Sequence, residues 1–165
     1  MQKFFFKPLD DGSMAVMGYK GDEADVVIPD SMWKSNVTVL GDNLFRGHGE
    51  ITSVSIPDTV TDFGEFLFDG CINLKHIKLP EQLKYLWGYT FARSGLEEIH
   101  LPDKLAVLPP FAFKDCKNLT KIVCGAGMRK IYAWAFAGCD QLTDVVRAPD
   151  VEISPEAFST KELNT

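Results

Sequence analysis

The chain repeats itself. The word "FAFKDCKNLTKI" (residues 111–122) returns as "WAFAGCDQLTDV" (residues 134–145), and weaker copies precede and follow it. Aligned on one phenylalanine, the copies place Phe45, Phe68, Phe91, Phe113, Phe136 and Phe158 at spacings of 23, 23, 22, 23 and 22 residues. Five residues before each anchor stands Leu40, Phe63, Leu86, Leu108, Ile131 or Ile153, and one residue before it Leu44, Leu67, Thr90, Ala112, Ala135 or Ala157. A unit this short cannot hide its apolar face alone. It buries that face against its own copies, so the chain is expected to stack into a solenoid.

Each unit has two halves. The first reads apolar-x-x-apolar-x-apolar-Pro, as in "ITSVSIP", "LKHIKLP" and "LEEIHLP", with "LTKIVCG" a variant. The alternation of Val54 with Ile56, Ile77 with Leu79, and Ile99 with Leu101 is that of a strand with one buried face. Proline then ends the strand, since it cannot donate to a ladder. The second half reads as one or two helical turns. Gly41, Gly64, Pro109 and Ser154 stand four residues before the anchors, and Pro110 and Pro155 follow where a helix tolerates proline. The stretch "SPEAF" has cap, proline and acid in the order of a helix start.

One short parallel strand and one short helical turn per unit predict an α/β repeat, a leucine-rich-repeat solenoid. The wording, best seen in "ITSVSIPDTVTDFGEFLFDGCINL", resembles the BspA-type leucine-rich repeats over about residues 24 to 163. Residues 24–165 are expected to form about six units of one structural domain. Residues 1–23 fit the N-terminal β-hairpin cap that such proteins often carry, with Asp11–Gly12 as its turn and a strand over residues 14–19. Unit one departs from the pattern with a longer loop, "DSMWKSNV", and unit five breaks the Ile-Pro word into "VVRAPD". The final "FSTKELNT" offers no obvious polar cap, so the C-terminal edge is a candidate for contact with a second copy.

The resemblance implies a non-catalytic binding scaffold, of a kind found at bacterial and protist surfaces and linked with adhesion to host or matrix proteins. Composition fits a binding role but excludes some partners. A net charge of −6 and no basic run argue against nucleic acid. No apolar stretch approaches the roughly 18 residues that span a membrane. The start, "MQKFFFKPLDDGSMAV", lacks the apolar core of a secretory signal, which makes a cytoplasmic chain the expectation; a trimmed chain would instead point to the cell surface or secretion.

No cofactor, metal or catalytic site is expected. Cys71, Cys116 and Cys139 each lie three residues after an anchor and form one column, which reads as a buried structural ladder. Their parallel side chains suit a disulfide poorly, and Cys124 takes a strand position. On the outward sheet face, His76, Lys78, Glu98, His100 and Lys121 would lie side by side. A metal or acid–base pair at His76, Glu98 and His100 is disfavoured by the adjacent lysines, and a solvated charge ladder explains the pattern.

The column two residues before the anchor is unusual, holding Phe66, Tyr89, Phe111 and Trp134, with Trp87 and Tyr132 two residues upstream. On a helix it lies about 200° from the anchor and would face solvent; an irregular turn would instead fold the rings over the loops. Exposed, these six residues form a binding stripe for a protein, or alternatively a platform for carbohydrate. A third reading is a self-assembling structural protein, a homo-oligomer joined through the stripe or the C-terminal edge.

Overall fold

The computed structural model describes residues 1–158. It is a leucine-rich-repeat solenoid of about six coils, numbered here by their anchors from Phe45 to Phe158. The chain opens with β1 (Lys3–Pro8) and β2 (Met14–Lys20), an antiparallel hairpin turned at Gly12. There follow β3 (Asp25–Val27), β4 (Ser31–Met32) and β5 (Ser35–Leu40) in coil one, with β4 and β5 forming a second hairpin. The Trp33–Lys34 tip of that hairpin has positive φ at both residues, as a two-residue primed turn requires.

Two tracks of short parallel strands then run along the coils, termed the first and second sheet, each interrupted near coil three into two separately paired parts. The first holds β6 (Ser53–Ser55) on β3, and later β9 (Glu98–His100), β11 (Lys121–Val123) and β13 (Asp144–Val146). The second holds β7 (Asp62–Phe63) and β8 (Tyr85–Leu86) on β5, and later β10 (Val107–Leu108), β12 (Lys130–Ile131) and β14 (Glu152–Ile153). The N-terminal hairpin joins the second sheet, because β2 also pairs in parallel with β5.

The predicted strand over residues 74–79 does not pair, and this corrects the sequence reading. "LKHIKLP" has the right alternation, but residues 76–79 make no backbone hydrogen bond to the coils on either side. A second correction concerns the helical turns. The described residues contain no helix. The backbone of each turn instead takes left-handed φ two residues before the anchor, at Asn43, Phe66, Tyr89, Phe111 and Trp134, and again two residues after it, at Gly47, Gly70, Arg93, Asp115 and Gly138. A right-handed helix cannot pass through either position. Even the Ser154 cap word forms only a local turn, in which Ser154 Oγ bonds Glu156.

What replaces the helix is a turn edge whose hydrogen bonds run between coils. Anchor amides donate across each junction: Phe45 to the Leu67 carbonyl (2.9 Å), Phe68 to Thr90 (2.7 Å), Phe91 to Ala112 (2.9 Å), Phe113 to Ala135 (2.9 Å) and Phe136 to Ala157 (2.8 Å). Two residues on, Gly47, Gly70, Arg93 and Asp115 donate in the same way at 2.7 to 2.9 Å. Inside this edge the anchor rings form a stack. Successive centroids from Phe45 to Phe136 lie 5.2 to 5.8 Å apart, and all five rings are fully buried. Tyr19 of the hairpin closes the first end, 5.2 Å from Phe45. Phe158 differs from its expected inward position: it packs 5.2 Å from Phe136 but stays 45% exposed, since among the described residues only one anchor stacks on it.

The expectations placed on residues 159–165, including the C-terminal edge, lie outside the described residues.

Candidate functional surface

Three buried thiols line the inside of the turn edge. Cys71 Sγ donates to the Phe45 carbonyl (3.2 Å), Cys116 to that of Phe91 (3.0 Å) and Cys139 to that of Phe113 (2.9 Å). Each thiol therefore ties its coil to the anchor of the coil before. Ser94 takes the thiol's position in coil three and approaches Cys116 at 3.5 Å. All four cysteines are free. Burial pushes the Cys71 thiol up to about 12. Hydrogen bonding with Cys116, and then burial, push Cys139 well above the ordinary thiol range. A thiolate is disfavoured at both, so neither is a ready nucleophile.

The second element of the turn edge is an ion cluster. The Asp69 side chain is only 5% exposed and meets Arg46 of the previous coil (3.0 Å) and Arg93 of the next (2.8 Å). One buried carboxylate thus clamps three coils together, and it holds the Arg93 guanidinium above its ordinary value.

The aromatic column sits beside this cluster. Phe66, Tyr89, Phe111 and Trp134 are half-buried and stacked, with centroids 4.6, 4.9 and 5.6 Å apart and rings within 13° of parallel. The Arg46 guanidinium covers the free face of Phe66 at 4.2 Å. The rings spend their faces on one another and show solvent mainly their edges. They are a wall more than a platform.

Trp87 and Tyr132 are arranged differently. They follow β8 and β12 on the outward face of the second sheet, 53% and 39% exposed. The structure brings to them Tyr85 (55% exposed) and Val107 (36% exposed), which sequence reasoning missed. Coils three to five thus carry an outward strip of Tyr85, Trp87, Val107, Pro109 and Tyr132, where coils one and two have Val39, Gly41, Asp62 and Gly64. Lys130 lies 4.7 Å over the Tyr132 ring and 3.4 Å from Glu152. The signal for Tyr85 and Val107 was present in the sequence. Strand alternation puts them on the face of Trp87 and Pro109, but a helical reading of this half of the unit hides it.

The charged patch on the first sheet forms in part. Lys121 pairs with Glu98 and Val123 with His100, as alternation required. His100 Nε2 reaches Glu98 Oε1 at 2.8 Å, and this contact with His100 lowers the Glu98 carboxyl below its ordinary value. His76 turns instead to Glu97, at 3.7 Å. Beneath His76 and His100 a cleft of about 720 Å3 opens in the sheet, lined also by Val54, Ile77, Lys78, Leu79 and Ile99.

Comparison with known proteins agrees with this architecture. Residues 38–164 match six copies of the BspA type leucine rich repeat region. The structure is similar to a leucine rich repeat protein of T. pallidum, with a TM-score of 0.72, 21% identity, and 98% of this chain and 90% of that one covered. It is also similar to a leucine rich cell surface protein of Faecalibacterium prausnitzii A2-165, with a TM-score of 0.76 and 22% identity over 98% of this chain and 40% of that one. A leucine-rich repeat protein of Bacteroides ovatus gives a TM-score of 0.68 and 24% identity over 94% of this chain and 49% of that one. Comparison with curated protein sequences finds no match. Six family copies on one stacked ladder of anchors lead to one conclusion: the chain belongs to the BspA-type leucine-rich-repeat family.

Proposed function

We propose that this chain is a non-catalytic scaffold that binds another protein through the outward face of its second sheet, at coils three to five. The observation that carries this reading is the exposed strip of Tyr85, Trp87, Val107 and Tyr132 on successive strands. Large aromatic rings left in solvent on a rigid frame are the anchors that protein interfaces favour. The half-buried Phe66–Trp134 stack braces the neighbouring edge and contributes ring edges to its rim. The likeness to a protein named for the cell surface supports a cell exterior as the setting, and adhesion there is part of this proposal. The first-sheet residues His76, Lys78, Glu98, His100 and Lys121 are assigned no part in this contact.

The test compares two double variants. Trp87→Ala with Tyr132→Ala should weaken capture of the chain's protein partner from host material at least tenfold, while His76→Ala with His100→Ala leaves it unchanged. Equal capture by both variants overturns the reading. Two further arms address the alternatives: saturable quenching of Trp87 fluorescence by oligosaccharides would mean a carbohydrate site, and a dimer by light scattering lost in the Trp87 variant would mean self-assembly.

A further inference from the structure

Three tracks of hydrogen bonds join coil to coil, and at coil three two of them break. In the first sheet, residues 76–79 bond to neither β6 nor β9, and only the Glu97 amide to the Lys75 carbonyl (3.0 Å) remains between coils three and four. In the second sheet, β8 and β10 do not pair. Other coils make this junction with an amide to the preceding strand: Gly64 to Leu40 (2.8 Å), Trp87 to Phe63 (3.1 Å), Tyr132 to Leu108 (3.0 Å) and Ser154 to Ile131 (2.9 Å). Coil four has Pro109 there, which has no N–H to give to Leu86. The Lys84 carbonyl is also left free, although its counterpart Ala106 accepts from both Arg129 and Lys130.

The third track continues, short of one bond: the Tyr89 amide lacks the partner that Phe66 finds in Gly88 and Phe111 in Trp134. The turn edge carries its anchor bonds, its ring stack and the Cys116 thiol bond from coil three into coil four, and the Asp69 clamp ties coil three to the coils before it. Coil four begins one residue short there, and Gly95 fills the gap with its amide on the Cys71 carbonyl (3.0 Å). A Cβ at Gly95 would lie 2.1 Å from the Ile72 carbonyl oxygen, so the fit is close on this edge. The chain is therefore tied along one edge and open along the other two faces.

We infer that coil three is a hinge. The solenoid flexes about its turn edge, and the cleft of about 720 Å3 is the open side of that joint. Ile77 marks it: its column partners Val54 and Ile99 are buried, whereas Ile77 is half-exposed at the cleft. Unbonded amides at 76–79 are met there by water, which lowers the cost of sliding one half past the other. Flexing changes the distance between Trp87, before the break, and Tyr132, beyond it. The inference rests on the hydrogen-bond pattern and stands whether or not the aromatic strip binds protein.

Amide hydrogen exchange on the full chain tests it. Amides of residues 76–79, and of Ala106 and Val107, should exchange at least tenfold faster than those of Leu101, Cys124, Arg129 and Tyr132, each of which donates to a neighbouring coil at 2.8 to 3.0 Å. The hinge predicts in addition a coupling between the sheets. Pro109→Val supplies the missing N–H opposite Leu86 on the second sheet and should slow exchange at 76–79, on the first, at least threefold. Pro109→Ala supplies the same donor and serves if the valine variant folds poorly. Protection at 76–79 equal to that of Leu101 and Cys124 overturns the hinge. So does unchanged exchange there in a folded Pro109 variant, since residues 76–79 would then loosen by themselves.

Discussion

The turn edge and the two sheets do the same task, joining coil to coil, by different means. On the turn edge an amide ladder and a ring stack run from coil to coil, reinforced by thiol-to-carbonyl bonds at some junctions and by a buried carboxylate across the first three coils. On the sheets, the strands from coil two onward have two or three residues and rely on backbone pairing above one row of buried side chains, and at coil three even that lapses. The difference teaches where this solenoid keeps its order. Redundant contacts fix the turn edge, which frees the sheet faces to vary outward, as the change from Gly41 and Gly64 to Trp87 and Tyr132 illustrates.

The largest effect expected from this contrast is on the ring stack. Phe91→Ala should lower the unfolding free energy by about 3–5 kcal/mol in urea titration, the cost of truncating a fully buried aromatic side chain. Ile77→Ala, half-exposed on an unpaired segment, should cost about 1 kcal/mol, less than a fully buried isoleucine would. Equal costs would break the comparison.

Next is the clamp. Asp69→Ala should cost about 1–3 kcal/mol by thermal melting, because Arg46 and Arg93 lose a buried acceptor but are themselves open enough to be rehydrated. A neutral result would remove the ion cluster from the spine.

The thiols give a smaller effect with a pH signature. Cys116→Ala should cost about 1 kcal/mol for the lost hydrogen bond. A thiol reagent should modify Cys124 in the native chain well before the three buried cysteines, and all four after denaturation. Cys71 is raised from 9.0 and Tyr19 from 10.0, each to about 12, in both cases chiefly by burial. The protonated forms are the ones the fold favours. Their contribution is therefore fully present below the unfolded values and is lost as pH rises from about 9 toward 12, a loss that melting temperatures across that range would follow.

The smallest stability effect belongs to the outward strip. Trp87→Ala and Tyr132→Ala should each change stability by no more than about 0.5 kcal/mol, as solvent-exposed positions do. A large loss would mean that these rings help to hold the fold together and are not held free for a partner.

Much of the fold could be read from the chain because burial follows columns. The anchors, the alternation of β6, β9 and β11, and the thiol column all repeat at fixed offsets, and offsets survive translation into coils. The turn conformation did not come through. Left-handed φ usually announces itself by glycine, and Gly47, Gly70 and Gly138 were such a clue after the anchor. Before the anchor the same φ is held by Phe66, Tyr89, Phe111 and Trp134, side chains that carry no sign of it and that offset the backbone cost by stacking. Misreading that half as helical also hid Tyr85 and Val107. The break at coil three was visible only as Pro109, one residue whose missing N–H matters because of the carbonyl it faces.

The central claim is that the phenylalanine edge holds the solenoid together more firmly than either sheet. Native-state amide exchange in low denaturant measures this directly. The anchor amides of Phe68, Phe91 and Phe113 should open only with global unfolding, and the paired strand amides of Ser53 and Ser55 well below it. Strand amides that outlast those of the anchors would contradict the account.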